Sequence, residues 1–188
     1  MDISSPFAPL FAGGFPLVLA PGEQLFFQAE EAGTVYLIRE GRIRIGLLSA
    51  DGRSFTLTEL GPGEILGETA LFVDGGRTAN AMAVEETHLM GLRKEDFLKA
   101  IAARPEAALA LIMILARRLR EADRRIEELT FMGLKERLRS LYYRLKEEGR
   151  AEFWRRATHQ ELAEMVGAAR ESVSRALAEL REEGIWER

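Results

Sequence analysis

Two stretches of this 188-residue chain carry side chains whose types and spacing could do chemistry. The first is Gly61-Pro-Gly-Glu-Ile-Leu-Gly-Glu-Thr-Ala-Leu-Phe-Val-Asp-Gly-Gly-Arg-Thr-Ala79. Gly67 lets backbone come close to a ligand. Glu68 to Leu71 suits one helical turn, whose unpaired N–H groups attract an anion. Arg77, delivered by the Gly75-Gly76 turn, offers a fork of donors that matches a phosphate, and Thr78 adds a hydroxyl and a further N–H. A glycine-rich hairpin with a surface arginine accounts for the same residues equally well. The second stretch runs from Thr158 to Gly184. Thr158 and Glu161 form a capping box that starts a helix. Leu162, Met165 and Val166 then face a core, and Gly167 suits a tight turn into a second helix. That helix would bury Val173, Ala176, Leu177 and Leu180, which leaves Arg170, Glu171, Ser174 and Arg175 together on its outer face. A helix in a major groove presents such residues to base edges, arginine to guanine and glutamate to cytosine. The alternative, a plain helical hairpin with a solvated face, needs neither the turn nor the clustering.

Composition excludes most other chemistry. The chain has no cysteine, which removes disulfides, thiolate metal sites and cysteine nucleophiles together. His88 and His159 are its two histidines, too few for an imidazole-rich metal centre. No nucleophile–base pair stands out, so the chain does not read as an enzyme. No apolar run is long enough to span a bilayer, and the N-terminus lacks the basic segment of a signal peptide; the expected location is the cytoplasm. Net charge is −4, but it is unevenly spread. Residues 1–103 hold 8 Lys+Arg against 14 Asp+Glu, a net of −6, while residues 104–188 hold 18 against 16, a net of +2. Local charge governs phosphate binding more than the total does.

The elements that must position these groups are arranged around one long helix, Pro105 to Phe131. Proline suits a first helical turn, and Glu106 favours the positive N-terminal end. No glycine or second proline follows until Gly133. Leu109, Ile112, Ala116, Leu119 and Ile126 recur at three-four spacing, the seam of a two-stranded coiled coil, and Asp123 breaks that seam. At about 1.5 Å per residue the helix is roughly 40 Å long, so we read it as a spine that pairs with its own copy.

Before the spine, residues 1–14 read as a loose arm, punctuated by Pro6, Pro9, Gly13 and Gly14. Residues 15–104 read as short strands and turns: Leu25–Phe27, Val35–Ile38, Ile43–Leu47 and Phe55–Thr58, with a further strand pair near Ala79–Val84 and His88–Leu92. Asp51-Gly52 signals a tight hairpin in which both central residues take φ > 0. Arg93–Ala103 reads as a short helix, and the strand-rich segment as an antiparallel barrel or roll. After the spine, Met132-Gly133 marks a hinge, Leu134–Glu148 a second amphipathic helix, and Phe153-Trp154 a minimal strand. The fold class is therefore α+β: an N-terminal roll (15–104), a dimerisation helix (105–131) and a helix-turn-helix segment (132–188).

These motifs resemble two known ones. Gly67-Glu68, a short apolar turn and Arg77-Thr78-Ala79 look like the phosphate-binding cassette of cyclic-nucleotide-binding domains. Thr158-x-x-Glu161-Leu162-Ala163, Val166-Gly167 and Arg170-Glu171-Ser172-Val173-Ser174-Arg175 resemble the helix-turn-helix of the Crp/Fnr superfamily, whose domain order this chain shares from about residue 15 onward. The resemblance implies a homodimeric transcription regulator that binds double-stranded DNA and touches RNA polymerase. It implies a candidate effector, cyclic AMP or cyclic GMP, held by Arg77 on the phosphate, Glu68 on the ribose hydroxyl, Thr78 in support, and Gly67 and Ala79 through backbone. Arg170, Glu171 and Arg175, with Ser174 beside them, are the expected base readers, and Thr158 and His159 the expected phosphate contacts.

The chain departs from that pattern in four places. Relatives that bind cyclic AMP hold the adenine with hydroxyl residues of the long helix, where this chain has Ala122 and Asp123. Asp123 either accepts hydrogen bonds from a guanine or is a polar position that the seam tolerates, with Arg124 relieving its charge. Ala169 stands where a serine commonly caps the recognition helix, a weaker cap by roughly 1 kcal/mol. The usual wing after Ile185-Trp186 is short or missing. Absence of cysteine excludes an iron–sulfur sensor. A regulator of the same build that needs no effector remains open, with Arg77 paired to Asp74 or Glu68, and so does a nucleotide-binding module without DNA.

Overall fold

The computed structural model describes residues 5–73 and 75–182. It divides into two compact units, Met1–Leu47 with Leu57–Arg118, and Leu48–Thr56 with Leu119–Arg188. The long helix α2 (Pro105–Phe131) runs through both, over the range that the sequence predicts. Asp74, Gly184 and the Ile185-Trp186 end lie outside the described residues.

Eight strands precede the helices: β1 (Phe15–Leu19), β2 (Gln24–Phe26), β3 (Thr34–Glu40), β4 (Ile43–Leu48), β5 (Ser54–Leu60), β6 (Ile65–Leu66), β7 (Asn80–Ala83) and β8 (Thr87–Arg93). They form two four-stranded sheets, in the orders β1-β8-β3-β6 and β2-β7-β4-β5. The two strands expected as a pair near residues 79–92 fall in different sheets. β7 lies antiparallel to β2 and β4, and β8 to β1 and β3. The side-chain period of two explains how one sheet serves two layers. Val35, Leu37, Ile65 and Leu92 point to a core that includes Phe97, Ile101 and Leu111. Ile38, Leu66 and Leu89 point instead to Phe26, Ile43, Leu60 and Ala81 of the other sheet. The short helix α1 (Lys94–Ala102) follows β8.

Two expectations fail before α1. The described part of the arm, residues 5–14, is not loose: Ala8–Gly13 forms a 3-10 helix, and Phe7, Leu10 and Phe11 are buried in the helix-side core. Phe7 and Leu10, three residues apart, line up along a 3-10 turn, and burial of both with Phe11 outweighs the prolines. The β4–β5 connection is not a two-residue turn either. Gly52 takes φ +82° while Asp51 does not, and Ser49 N donates to Arg53 O at 2.9 Å, a longer loop.

In the second unit, α3 (Leu134–Glu147), α4 (Ala151–Arg156), α5 (His159–Val166) and α6 (Arg170–Glu182) share one core of Leu138, Leu141, Leu145, Trp154, Leu162, Val166, Val173, Leu177 and Leu180. The strand expected at Phe153-Trp154 is helix α4. Trp154 is buried and its ring lies 5.3 Å from that of Tyr142, so packing overrides the strand preference of two adjacent aromatics. At the break between α2 and α3, Glu136 Oε2 accepts from Gly133 N at 2.8 Å. A charged network spans that break. Arg124 donates to Glu128 at 2.6 Å, Ser140 to Glu128 at 2.9 Å, and Arg144 reaches Glu121 at 3.5 Å. Burial is the main reason that the Arg144 guanidinium is held down to about 10.

Candidate effector site and nucleic-acid interface

The cassette begins where β6 ends. Gly67 takes φ +82°, a left-handed conformation that costs glycine nothing, and a Cβ there would clash with the Arg77 guanidinium. Glu68 leads into the single 3-10 turn Thr69–Leu71 that the sequence predicts. Arg77 is buried and fixed from both ends. Its backbone N donates to Glu30 O and its O accepts from Ala29 N, each at 2.8 Å. Its Nη1 donates to Gly67 O at 3.1 Å and its Nη2 to Thr34 O at 2.9 Å. The guanidinium lies 4.2 Å from the centre of the Phe26 ring, a cation–π contact. Burial lowers the Arg77 pKa, against the raising influence of Tyr36, Glu30 and Glu68. Its Nε is buried and makes no hydrogen bond among the described residues. Ala79 is buried and Thr78 exposed.

Glu68 has no solvent exposure. It pairs with Arg118 of α2, not with Arg77, which removes one of the two carboxylate partners expected for Arg77 in the effector-free reading; the other, Asp74, lies outside the described residues. Arg118 also donates to Ile65 O at 2.7 Å, and Thr69 Oγ1 to Glu68 Oε1 at 3.1 Å. Glu68 Oε2 is buried without a hydrogen bond. Sequence reasoning missed Arg118, although a signal existed. Ala107, Leu111, Ile114 and Arg118 are spaced as one helical stripe, and its first three members pack on the core of the first unit.

Asp123 is exposed on α2 and makes no hydrogen bond or ion pair among the described residues. Arg124, expected to relieve it, is committed elsewhere: it donates to Glu121 at 2.5 Å and to Glu128 at 2.6 Å. The seam around Asp123 is bare, with Leu109, Ile112, Leu119 and Ile126 each 60–64% exposed.

The helix pair α5–α6 of the second unit forms as its sequence dictates. Thr158 Oγ1 accepts from Glu161 N at 3.1 Å and Glu161 Oε2 accepts from Thr158 N at 2.8 Å, the reciprocal capping box. Gly167 ends α5 at φ +65°. Arg137 donates to Val166 O at 2.6 Å and Arg125 to Met165 O at 3.2 Å, satisfying carbonyls that the end of α5 leaves open; neither role was legible in advance. Val173, Ala176, Leu177 and Leu180 of α6 are buried, while Arg170, Glu171 and Arg175 are exposed beside one another. Ser174 differs from them. Its hydroxyl donates to Arg170 O at 2.9 Å and lies 2.7 Å from His159 Nδ1. A hydroxyl has one proton, so His159 is the donor in that second bond. The structure thus ties together the starts of α5 and α6.

Comparison with known proteins agrees with both halves. Residues 16–104 match the cyclic nucleotide-binding domain family and residues 134–188 the Crp-like helix-turn-helix domain family. The cyclic AMP receptor protein of Thermus thermophilus is 39% identical over 164 residues, 87% of this chain and 76% of that protein. A CRP-like cAMP-activated global transcriptional regulator of Mycobacterium tuberculosis is 32% identical over 175 residues, 90% of this chain and 78% of that one. Among solved structures, the c-di-GMP responsive global regulator CLP of Xanthomonas campestris shares the fold, with TM-score 0.81, 24% identity, and 93% and 89% of the two chains covered. The Thermus thermophilus catabolite activator protein superposes with TM-score 0.59 at 35% identity, covering 94% of this chain and 82% of that one.

Proposed function

The chain belongs to the Crp/Fnr family of transcription regulators, and on that premise we propose that it works as a cytoplasmic homodimer on a near-palindromic DNA site under control of a cyclic nucleotide. Regulators of this family are DNA-binding proteins and not enzymes. The observation that carries the dimer is the seam: four large apolar side chains at coiled-coil spacing stand in water on α2, and a second copy covers them. Two α6 helices then lie about 34 Å apart, one turn of DNA. Arg170, Glu171 and Arg175 read base edges. Thr158 and His159 contact phosphate at the start of α5, and Ser174 supports them. RNA polymerase is the further partner.

In the first unit, Arg77 takes the cyclic phosphate, with Thr78 and the backbone at Gly67 and Ala79 in support, and Glu68 takes a ribose hydroxyl. Two buried atoms favour a ligand: among the described residues Arg77 Nε has no acceptor and Glu68 Oε2 no donor, and a phosphate and a hydroxyl supply one each. Ligand binding shifts the regulator between two states only to the extent that it binds them differently. A second reading, regulation without an effector, has one observation in its favour. Arg77 already donates to two carbonyls and Glu68 already has Arg118, so the cassette is partly filled by its own chain.

The test is DNA-site selection on the purified protein without nucleotide, with cyclic AMP and with cyclic GMP. Tighter binding to a palindrome with one nucleotide supports the sensor. Equal binding in all three supports the effector-free reading.

A further inference from the structure

We infer that His159 takes up a proton when this protein binds DNA, so that affinity for DNA falls as pH rises. The uptake rests on the reading above that sets the start of α5 against a DNA phosphate.

The bonds of one serine fix which ring nitrogen of His159 carries hydrogen. Ser174 Oγ donates to Arg170 O at 2.9 Å, one turn back on α6, and that uses the single proton of a hydroxyl. The same oxygen lies 2.7 Å from His159 Nδ1, so Nδ1 carries hydrogen and donates. A neutral imidazole has one N–H. With Nδ1 as the donor, Nε2 of the neutral ring holds a lone pair and only accepts. A phosphate oxygen of DNA also only accepts, and two acceptors do not bond. His159 therefore reaches a phosphate through Nε2 only as the imidazolium, whose second proton comes from solvent. Protonation turns two opposed lone pairs into a charge-assisted hydrogen bond.

Thr158 caps α5, so His159 is the first residue of that helix, and it is half-buried. Charged groups surround it on every element that meets α5. On α6, Arg170, Glu171 and Arg175 are exposed. At the end of α4, Arg155 and Arg156 pair with Glu152 at 3.3 and 2.9 Å. On α5 itself, Glu161 accepts from Thr158 N and Glu164 from Gln160. Arg137 of α3 meets the far end, at Val166 O. These charges are present with and without DNA. The phosphate is the charge that arrives on binding, and it favours the protonated ring. The linkage is reciprocal: the protonated ring favours DNA by the same factor.

The experiment measures the affinity of the full-length protein for the duplex that site selection returns, by fluorescence anisotropy at fixed ionic strength, from about pH 6 to about pH 8, the range in which histidine titrates. The proteins are wild type, His159→Gln, Ser174→Ala and His159→Glu. We expect wild type to bind about 10-fold or more weakly at the upper pH than at the lower. His159→Gln should be nearly flat across that range. Ser174→Ala releases Nδ1, so the neutral ring can carry its hydrogen on Nε2 and meet the phosphate without uptake; its fall should be smaller than that of wild type. His159→Glu sets a fixed negative charge against the phosphate and should bind more weakly than His159→Gln at every pH. If His159→Gln falls as steeply as wild type, or Ser174→Ala keeps the full wild-type fall, while His159→Glu binds weakly, the phosphate contact stands and proton uptake is overturned. If His159→Glu binds as tightly as His159→Gln, the start of α5 does not meet a phosphate, and the uptake fails with that reading.

Discussion

Glu68 in the cassette and Arg118 on α2 form an ion pair around a carboxylate that solvent does not reach. Removing one member of such a pair leaves a charge buried and unanswered. Because the Arg118 side chain keeps 29% exposure, we expect Arg118→Met to destabilise the protein by about 2–4 kcal/mol, toward the lower end for a broken buried pair. The double variant Glu68→Gln/Arg118→Met should cost less than the sum of the two single variants. Denaturant melts of all four proteins measure that coupling, and additive losses would show that the pair contributes no interaction energy.

The seam on α2 makes a simpler demand. Leu119 is 64% exposed, so a glutamate there costs a monomer little, yet it places a charge at the centre of the proposed helix pair. We expect Leu119→Glu to sediment as a monomer with the far-ultraviolet circular dichroism of the parent. A variant that still sediments as a dimer would move the interface elsewhere.

Much of this organisation was legible in advance, for reasons that differ by element. Pro105 and Gly133 punctuate α2, and its three-four pattern is long enough to read, so its limits came out as the structure has them. The capping box at Thr158 and the left-handed Gly167 are local signals, and so α5 and the turn after it were readable too. What failed is nonlocal. Which strands pair depends on the closure of two sheets, so β7 and β8 could not be assigned partners from their own residues. Phe7, Leu10 and Phe11 looked unstructured beside two prolines because their stabilisation comes from a distant core. Arg118 and Arg124 sit side by side with other arginines in the sequence; only packing separates the one that meets Glu68 from the one that meets Glu121 and Glu128.

Acid should loosen the second unit through Glu121. Its burial raises the pKa, but the hydrogen bond from Arg124 and the charges of Arg124, Arg144 and Arg125 outweigh that and lower it below 4.5. The unfolded chain then binds this proton first as pH falls. The stabilisation is present above 4.5 and is lost as pH falls from there through the lower folded value. We expect Glu121→Gln to flatten stability against pH below about 4.5 relative to wild type; an unchanged slope would show that the network does not respond to this carboxylate.

Arg170 and Ser174 are neighbours on α6 but should behave differently on DNA. Arg170→Ala removes an exposed fork of donors, and we expect a loss of about 1–3 kcal/mol with relaxed choice at one base position. The Ser174 hydroxyl is engaged by Arg170 O and His159. We expect Ser174→Ala to lower stability by about 0.5–1.5 kcal/mol, the net worth of a hydrogen bond, and to leave base preference unchanged. Site selection on both variants distinguishes the two roles, and an altered consensus for Ser174→Ala would make it a direct reader.

The start of α6 is the place where one added oxygen should help. Ala169 precedes Arg170, the first residue of the helix, and its carbonyl accepts from Val173 N at 3.0 Å. Its side chain offers nothing to the N–H groups of the first turn, which helices leave unpaired. A serine there supplies an acceptor, and we expect Ala169→Ser to raise stability by about 1 kcal/mol, read as a higher denaturant midpoint at unchanged slope. The effect on DNA binding separates two states of the free protein. If the first turn frays off DNA and orders on it, the cap removes that ordering cost and tightens binding up to about 5-fold, the equivalent of about 1 kcal/mol. If the turn is already formed, stability rises and affinity stays where it was, and the exposed Arg170 and Glu171 are then presented to DNA by a helix that needs no further ordering.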